Sequence, residues 1–163
     1  MRAFGISLFL TLMTLAAVAQ QPSAQSIKTF ASSADVAALR EKAKSERKEG
    51  QATVSKPILQ FAPYSANLEY RVAVGPAAVH EREAEMFYVI DGAATLVTGG
   101  KLVNEKRTNA ENLGGTAIED GTSQAVAKGD FIVVPENTPH WFSAIQGTVV
   151  LMSLHLPRPV AAH

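Results

Sequence analysis

Short β-type segments dominate the sequence from Pro57 onward and limit what this chain can fold into. They are PILQFA, LEYRVAV, MFYVI, ATLVT, KLV, TAIE, SQAVA, DFIVV, HWFSAI and TVVLMSLHL, separated by Gly, Pro and Asn. Many short strands at this spacing are typical of an antiparallel barrel or sandwich. Gly99-Gly100 and Asp120-Gly121 stand between pairs of segments and predict tight hairpins. The chain is therefore predicted to be all-β.

The residues before these segments have a different character. Residues 20–27 are rich in Gln, Ser and Pro and are predicted to be a disordered lead-in. In SSADVAALREKAKSERKEG, Ser32 with Asp35 three positions later predicts a helix start, and Gly50 predicts its end. The helix has only a thin apolar stripe, so it is expected on the outside of the domain. Residues 20–50 thus precede a single barrel domain over residues 51–163.

One long segment inside the β region lacks any periodicity. Residues 104–115, NEKRTNAENLGG, are polar and are predicted to form an irregular loop. Loops of this length in a compact domain are either mobile or functional. We consider the hypothesis that this loop covers the barrel mouth when substrate binds.

The first nineteen residues have the features of a secretory signal. Arg2 supplies a positive charge, an apolar run extends from Ala3 to Leu15, and Ala17-Val18-Ala19 has the small-x-small form of a cleavage site. The run is too short for a stable membrane anchor. Residues 1–19 are therefore predicted to be cleaved, and the mature protein is expected in a periplasm or in the medium.

Charge and cysteine content exclude several classes of function. Removal of Arg2 from the 15 basic residues leaves one fewer than the 15 acidic residues, so the mature chain is nearly neutral. This balance argues against nucleic acid or an anionic membrane as a partner. The chain has no cysteine, so disulfides and thiolate chemistry are excluded. Any bound metal must be held by nitrogen and oxygen.

Two segments share one pattern of a β run, a turn with Pro or Gly, and a histidine beside a strand. They are PAAVHEREAEMFYVIDG, residues 76–92, and GDFIVVPENTPHWFS, residues 129–143. His80 should end one strand and Glu85 should begin the next, so a hairpin across EREA would bring both side chains to one side of a sheet. His140 follows a proline-containing turn. Two imidazoles and one carboxylate held in this way form a facial triad suited to a divalent transition metal.

These two segments resemble the metal-binding motifs of the cupin superfamily, over roughly residues 57–156. The first motif is, loosely, Pro-x-His-x-His, four residues, Glu, six residues, Gly; the second is Gly, five residues, Pro-x-Gly, two residues, His. The matching positions are Pro76, His80, Glu85 and Gly92, then Gly129, Pro135 and His140, with Asn137 in the glycine position. Asn tolerates a positive φ nearly as well as glycine.

The resemblance implies a fold and a set of metal ligands. The fold would be a double-stranded β-helix, or jelly-roll, barrel with one short N-terminal helix. The ligands would be His80, Glu85 and His140, holding Fe, Mn, Zn or Ni. The first histidine of the motif would fall at residue 78, where this chain has Ala78. A site with one ligand fewer is weaker or more open. Glu81 is expected to face away from His80 because side chains alternate along a strand.

Three further residues are weaker candidates for a catalytic role. His155 lies in the last β segment and would act as an acid, a base or an extra ligand if it faced inward. Tyr70 is either a core aromatic or a pocket hydroxyl. Arg71 either binds a substrate carboxylate or pairs with a neighbouring acid on the surface.

The leading functional hypothesis is a metal-dependent enzyme acting on a small organic molecule inside the barrel. Fe(II) would favour oxygenation, whereas Mn, Zn or Ni would act as a Lewis acid in isomerisation, decarboxylation or elimination. The alternative is a module that binds a small molecule or metal without converting it. A third possibility is a barrel that serves mainly to form a homodimer. No GxSxG, phosphate-binding glycine loop or HExxH is present.

Overall fold

The computed structural model describes residues 27–158 of the chain. The predicted signal peptide, and all of the predicted lead-in except Ile27, lie outside these residues. The described part confirms the all-β class with one short N-terminal helix. Its elements are α1 Ser33–Glu46, β1 Thr53–Phe61, β2 Tyr64–Arg71, β3 Ala77–His80, β4 Glu83–Thr98, β5 Lys101–Val103, β6 Lys106–Arg107, β7 Asn112–Gly115, β8 Ala117–Glu119, β9 Thr122–Ala127, β10 Phe131–Val134 and β11 His140–Pro157.

Helix α1 begins where the sequence predicts and ends earlier. The Asp35 backbone N–H donates to Ser32 Oγ at 3.1 Å, and the Ser32 N–H donates to the Asp35 carboxylate at 2.8 Å, which completes a capping box. The helix ends at Glu46, short of the predicted stop at Gly50. The residues between them are charged and have no apolar surface to pack. Only Ala43 of the helix is fully buried, as expected for a helix on the outside of the domain.

Strands β4 and β11 are long, and each joins two segments that the sequence predicts as separate strands. They pair with each other antiparallel over most of their length, with register shifts that allow both strands to bend. The bend in β4 requires Gly92, which has φ +84. A Cβ atom at this position would lie 2.0 Å from the Thr148 carbonyl oxygen. A glycine is therefore needed where β4 passes the backbone of Thr148 and Val149.

The two predicted glycine hairpins are absent from the described residues. β4 pairs with β9 and β5 pairs with β8, so β4 with β5 forms one arm and β8 with β9 forms an antiparallel second arm. Gly99-Gly100 in the first arm lies opposite Asp120-Gly121 in the second. A Cβ atom on Gly100 would lie 2.1 Å from the Glu119 carbonyl oxygen. The positive φ angles of Gly99, Gly100 and Asp120 interrupt the two arms at this point. A Gly-Gly or Asp-Gly pair looks the same in the sequence whether it forms a hairpin turn or such an interruption.

Residues 104–115 are not an irregular loop, because they contain strands β6 and β7. The turn between these strands is closed by the Thr108 N–H, which donates to the Asn112 carbonyl at 3.0 Å. β7 then pairs with β3, and Asn112 lies opposite His80. This pairing joins residues about thirty positions apart, so no local periodicity could reveal it.

Apolar side chains form two clusters, one on each face of the main sheet. The interior cluster consists of Phe87, Val89, Ala94, Leu96, Val126, Val134, Phe142, Val149 and Leu151. The outer cluster consists of Ala43, Val54, Ile58, Ala66, Leu68, Tyr70 and Val150, and lies under α1. Within residues 27–158, no helix has the length and apolar character needed to cross a membrane.

Candidate metal centre

His80 is held at the end of β3 by contacts with two other parts of the fold. Its Nδ1 lies 2.8 Å from Oδ1 of Asn112, the residue opposite it on β7. Its carbonyl accepts from the Asn137 backbone N–H at 2.7 Å, and Asn137 has the positive φ, 58°, expected at the glycine position of the second motif. The turn of the second motif is thereby bonded to the strand end that carries the first-motif histidine.

Glu85 is the third residue of β4 and is only 4% exposed. The hairpin predicted across EREA is not formed, because β3 pairs with β7 and β11 whereas β4 pairs with β9, β10 and β11. The chain instead crosses from one ladder to another between His80 and Glu83. The side chains still converge, since His80 Nε2 lies 3.2 Å from Glu85 Oε2. Glu85 also accepts a short hydrogen bond from the hydroxyl of Ser153.

His140 begins β11 and is 6% exposed. Its Nδ1 lies 3.2 Å from the Thr138 carbonyl oxygen, and its Nε2 lies 3.1 Å from Glu85 Oε2. His140 is directly opposite Ala78 across the β3–β11 pair. The structure therefore brings together all three residues that the two motifs predict as ligands.

His155 also belongs to this cluster. It lies directly opposite Glu85 on the β4–β11 pair, so the two side chains share one face of the sheet. Its Nε2 is 3.5 Å from Glu85 Oε1, and its Nδ1 is 2.7 Å from Glu83 Oε1. Potential ligand atoms of His80, Glu85 and His155 all lie within 4.8 Å of one another. His140 is outside this group and approaches it through Glu85, with Nε2 3.1 Å from Oε2. The inward orientation of His155 is one of the alternatives that its sequence position left open.

The three imidazoles share one pattern of hydrogen bonding. Each Nδ1 faces an oxygen, supplied by Asn112, Thr138 and Glu83 respectively. These oxygens accept, so each Nδ1 carries the proton. A neutral imidazole then has a bare lone pair on Nε2, and all three Nε2 atoms point toward the Glu85 carboxylate. Lone pairs and a carboxylate at these distances require a shared cation between them, which is either a proton or a metal ion.

Without a metal ion, the contacts of His80 favour a proton on its ring. Burial raises the pKa of Glu85, but hydrogen bonds from His140, His80 and Ser153 outweigh burial and hold the pKa well below its usual range. Burial lowers the pKa of His80, but its bonds to Glu85 and Asn112 outweigh burial and raise the pKa above its ordinary value. Glu85 therefore stays ionised, and His80 binds a proton more readily than an isolated histidine.

The same donor set fits a divalent transition metal. Two ligand atoms bound side by side at about 2.1 Å from one ion lie roughly 3 Å apart. The distances of Glu85 to His80 and His140, 3.2 and 3.1 Å, agree with this spacing. Imidazole nitrogen with one carboxylate suits Zn, Fe, Mn or Ni, and each ligand nitrogen is oriented by a protein oxygen behind it, as in known metal sites.

Tyr70 and Arg71 do not reach the cluster. Tyr70 is buried in the outer cluster under α1, which agrees with the core alternative. Arg71 is opposite Val149, six positions along β11 from His155, or about 20 Å away. Its guanidinium pairs with Glu69 at 2.6 Å and stacks over the Phe142 ring at 4.8 Å. The expected acidic partner is present, but the pair is half-buried inside the barrel and not on the surface.

Three residues near the cluster were not identified from the sequence as its partners. Asn112 lies in the segment predicted to be irregular, and Ser153 has no motif around it. Glu83 lies in the charged EREA segment, and its carboxylate is bonded by His155 at 2.7 Å. Glu81 points away from the cluster and pairs with Arg107 at 2.7 Å, as expected from strand alternation.

A cavity of about 790 Å³ meets the cluster at His80. Strand register places Lys106, Gly114, Ala78 and His140 in one row across β6, β7, β3 and β11. Residues paired in this way direct their side chains to the same face. Ala78 has a small side chain, whereas the space above Gly114 is taken by Thr108, whose Cγ2 would lie 3.0 Å from a Cβ atom on that glycine. The cavity between Lys106 and His80 is therefore bordered by Thr108 and Ala78.

Comparisons with known proteins give the same fold. The structure of KdgF from Halomonas sp. superposes with a TM-score of 0.50 at 17% identity, covering 69% of this chain and 87% of that one. Hydroxypropylphosphonic acid epoxidase from S. wedmorenis gives 0.50 at 17%, covering 67% of this chain and 53% of that one. Fe(II) HppE gives 0.50 at 16%, covering 68% and 53%. The chain thus spans about half the length of the chains in the last two structures. No curated protein sequence matches it significantly.

The family match covers most of the described residues. The family model described as "Cupin" matches residues 53–159, which include both motifs and every residue of the cluster. A match over this share of the sequence agrees with the jelly-roll topology of the strands. The chain belongs to the cupin family.

Proposed function

We propose that this protein is a metal-dependent enzyme that converts a small organic acid inside the barrel. The observation that carries the proposal is the convergence of imidazole Nε2 atoms on the buried Glu85 carboxylate, with every Nδ1 already bonded to oxygen. His80, Glu85 and His140 are the residues that would hold the ion. Once bound, Fe(II) supplies oxygenation chemistry, and Mn, Zn or Ni supplies Lewis-acid chemistry.

The substrate class follows from the cavity beside the cluster. Lys106 lies at the far end of the row that runs to His140, and it forms no salt bridge among residues 27–158. Three strand spacings separate its backbone from His140, about 14 Å. A carboxylate bound at the Lys106 ammonium would leave room for a molecule of a few carbon atoms whose other end reaches the histidines. Asn112 and Thr108 line the same cavity and offer polar contacts.

The chain's own residues then orient the reactants. Lys106 would bind the acid group, and the small side chain of Ala78 would leave space for the substrate next to His80. Asn112 holds the His80 ring, so the wall of the cavity and the metal ligand are positioned by the same residue. Glu85, buried and ionised, would neutralise part of the charge of a divalent ion.

A metal-free binding module is the second candidate. It is favoured by the fact that His80 binds a proton readily and can share it with Glu85 in place of a metal ion. In that case the cavity would hold a small acid without converting it. Lys106 would have the same role in both proposals.

Metal analysis of purified protein separates the two candidates. We expect one equivalent of a transition metal in the wild type and loss of that metal in His80→Ala and His140→Ala. His163→Ala, which changes the remaining histidine outside residues 27–158, is the matched control and should retain the metal. Turnover or oxygen uptake with a panel of small acids and phenols should depend on the metal. Metal-free protein that still binds a panel member would favour the binding module.

The predicted signal peptide leads to a separate proposal about location. We propose that the enzyme acts outside the cytoplasm, on the strength of the leader features in residues 1–19. Expression of the full chain in a bacterium, followed by N-terminal sequencing of the fractionated protein, tests this. Mature protein beginning at Gln20 in the periplasm or medium is the expected result, and an intact Met1 in the cytoplasm would refute it.

A further inference from the structure

We propose that His155 is a fourth ligand, and that it replaces from β11 the ligand that β3 lacks at Ala78. This inference rests on the proposed metal site and adds a residue outside both sequence motifs. The site would then contain three imidazoles and one carboxylate, with both His140 and His155 supplied by β11.

The first support is the position of His155 relative to Glu85. The two residues are direct partners in the β4–β11 ladder, and Nε2 lies 3.5 Å from Glu85 Oε1. His80 and His140 approach the other carboxylate oxygen, Oε2. The three rings also pack together, since the His80 ring centroid is 4.9 Å from that of His155 and 5.2 Å from that of His140. All three Nε2 atoms therefore surround one carboxylate.

The second support is the anchor behind the ring. Glu83 accepts from His155 Nδ1 at 2.7 Å, so Nε2 keeps its lone pair toward Glu85. A carboxylate behind a histidine is the arrangement that orients metal-binding imidazoles and increases their basicity. Glu83 and Glu85 lie two positions apart on β4, so both point to the face that His155 occupies. We assign Glu83 as a positioning residue for His155.

The third support is that His155 does not face the cavity next to the cluster. Of the three clustered histidines, only His80 lines the 790 Å³ cavity. A histidine acting as a general acid or base on a molecule in that cavity would need to face it. His155 is instead turned toward Glu85. With the ligand on β11, the side of the site next to Ala78 stays free for the substrate.

Complementation between positions 78 and 155 tests the assignment. Zn²⁺ affinity is measured by calorimetry on metal-stripped protein, and the Co²⁺ visible absorption spectrum reports the number of ligands. His155→Ala should lower Zn²⁺ affinity by about 100-fold or more, and Glu83→Gln by roughly 10-fold, the range for an orienting partner. Ala78→His lies on the same face of β3 as His80. Added to His155→Ala, it should recover most of the affinity and the wild-type Co²⁺ spectrum.

The outcomes distinguish this inference from the proposed function. If the wild type binds Zn²⁺ and His155→Ala binds it equally well with an unchanged Co²⁺ spectrum, the assignment of His155 is overturned and the three-ligand site stands. If the wild type binds neither Zn²⁺ nor Co²⁺, the metal proposal fails and this inference fails with it. His155→Gln keeps the size of the side chain and serves if the alanine variant does not fold. Circular dichroism establishes the folding of each variant.

Discussion

Strand β11 has two faces that are similarly buried and chemically different. Its outer face presents Val150, Met152 and Leu154 to the cluster under α1. Over the same stretch its inner face has Leu151 in the apolar interior, followed by Ser153 and His155 around Glu85. Between residues 150 and 155 the outer face is therefore apolar, whereas the inner face becomes polar. Strand alternation thus allows one segment to stabilise the barrel on one side and to build a site on the other.

The cavities on the two faces differ in the same way. The outer cavity of about 540 Å³ is lined mainly by apolar residues of α1, the sheet and the segment before α1, and Arg40 is its one basic side chain. The inner cavity contains His80, Lys106, Asn112 and Thr108. Buried polar groups need hydrogen-bonding partners. On the inner face, the Glu85 carboxylate and the histidines around it are such partners for one another. Substitutions on the two faces should therefore change different measured quantities.

The largest effect is expected at Glu85. Glu85→Gln removes the negative charge while keeping the shape of the side chain, so Zn²⁺ affinity should fall by at least about 1,000-fold, equivalent to about 4 kcal/mol. Calorimetry on metal-stripped protein measures this. Met152→Ala, on the outer face of β11, is the control and should bind Zn²⁺ as the wild type does. Comparable affinity in Glu85→Gln and wild type would remove Glu85 from the site.

The next largest effect is a loss of stability at Leu151, in the apolar part of the inner face of β11. Leu151 is 0% exposed, and Leu151→Ala should lower the free energy of unfolding by about 3 kcal/mol through lost burial and the cavity left behind. Denaturant unfolding in the presence of a chelator measures this. Zn²⁺ affinity of the folded variant should stay within a few-fold of wild type. A collapse of Zn²⁺ binding in folded protein would show that the two parts of the inner face are not independent.

The pH dependence of stability should differ between metal-free and metal-loaded protein. The pKa of His80 is raised in the folded state, so the stability contributed by its proton is fully present below its unfolded pKa of about 6.5. That contribution is lost as pH rises through the higher folded pKa. Metal binding requires the neutral ring, so stabilisation by metal should instead increase over the same interval.

Thermal unfolding with chelator and with Zn²⁺, at several pH values from 6 to 8, checks this prediction. His80→Asn should flatten the pH dependence of the metal-free protein. If that variant keeps the wild-type pH dependence, His80 is not the titrating group. The outer face contributes no histidine within residues 27–158, so Met152→Ala should retain the wild-type profile.

The smallest effect is expected at the start of α1, on the outer side. Ser32→Ala removes the side-chain acceptor of the Asp35 N–H and should lower the free energy of unfolding by about 1 kcal/mol. Denaturant unfolding measures the loss, and Zn²⁺ affinity should not change. Ser45→Ala, in the last turn of the same helix, provides a surface control with a smaller expected loss. An equal loss at both positions would argue against the capping box as the cause.

The sequence by itself determined the class of fold, the start of α1, and the two segments that supply His80, Glu85 and His140. Hydrophobic alternation and turn residues are local properties, and motif spacing places histidines beside strands. Tyr70 in the core and the positive φ of Asn137 follow from the same local rules. The role of the three residues as metal ligands stays a prediction until metal is measured.

The tertiary structure decided everything that depends on pairing between distant strands. It placed His155 opposite Glu85, Asn112 opposite His80, and Lys106 in the row that ends at His140. It also placed Arg71 inside the barrel. The two glycine-containing pairs predicted to form hairpins lie opposite each other within a longer pair of strands. Alternation tells which residues share a face of a strand, but only closure of the barrel decides which face is inside.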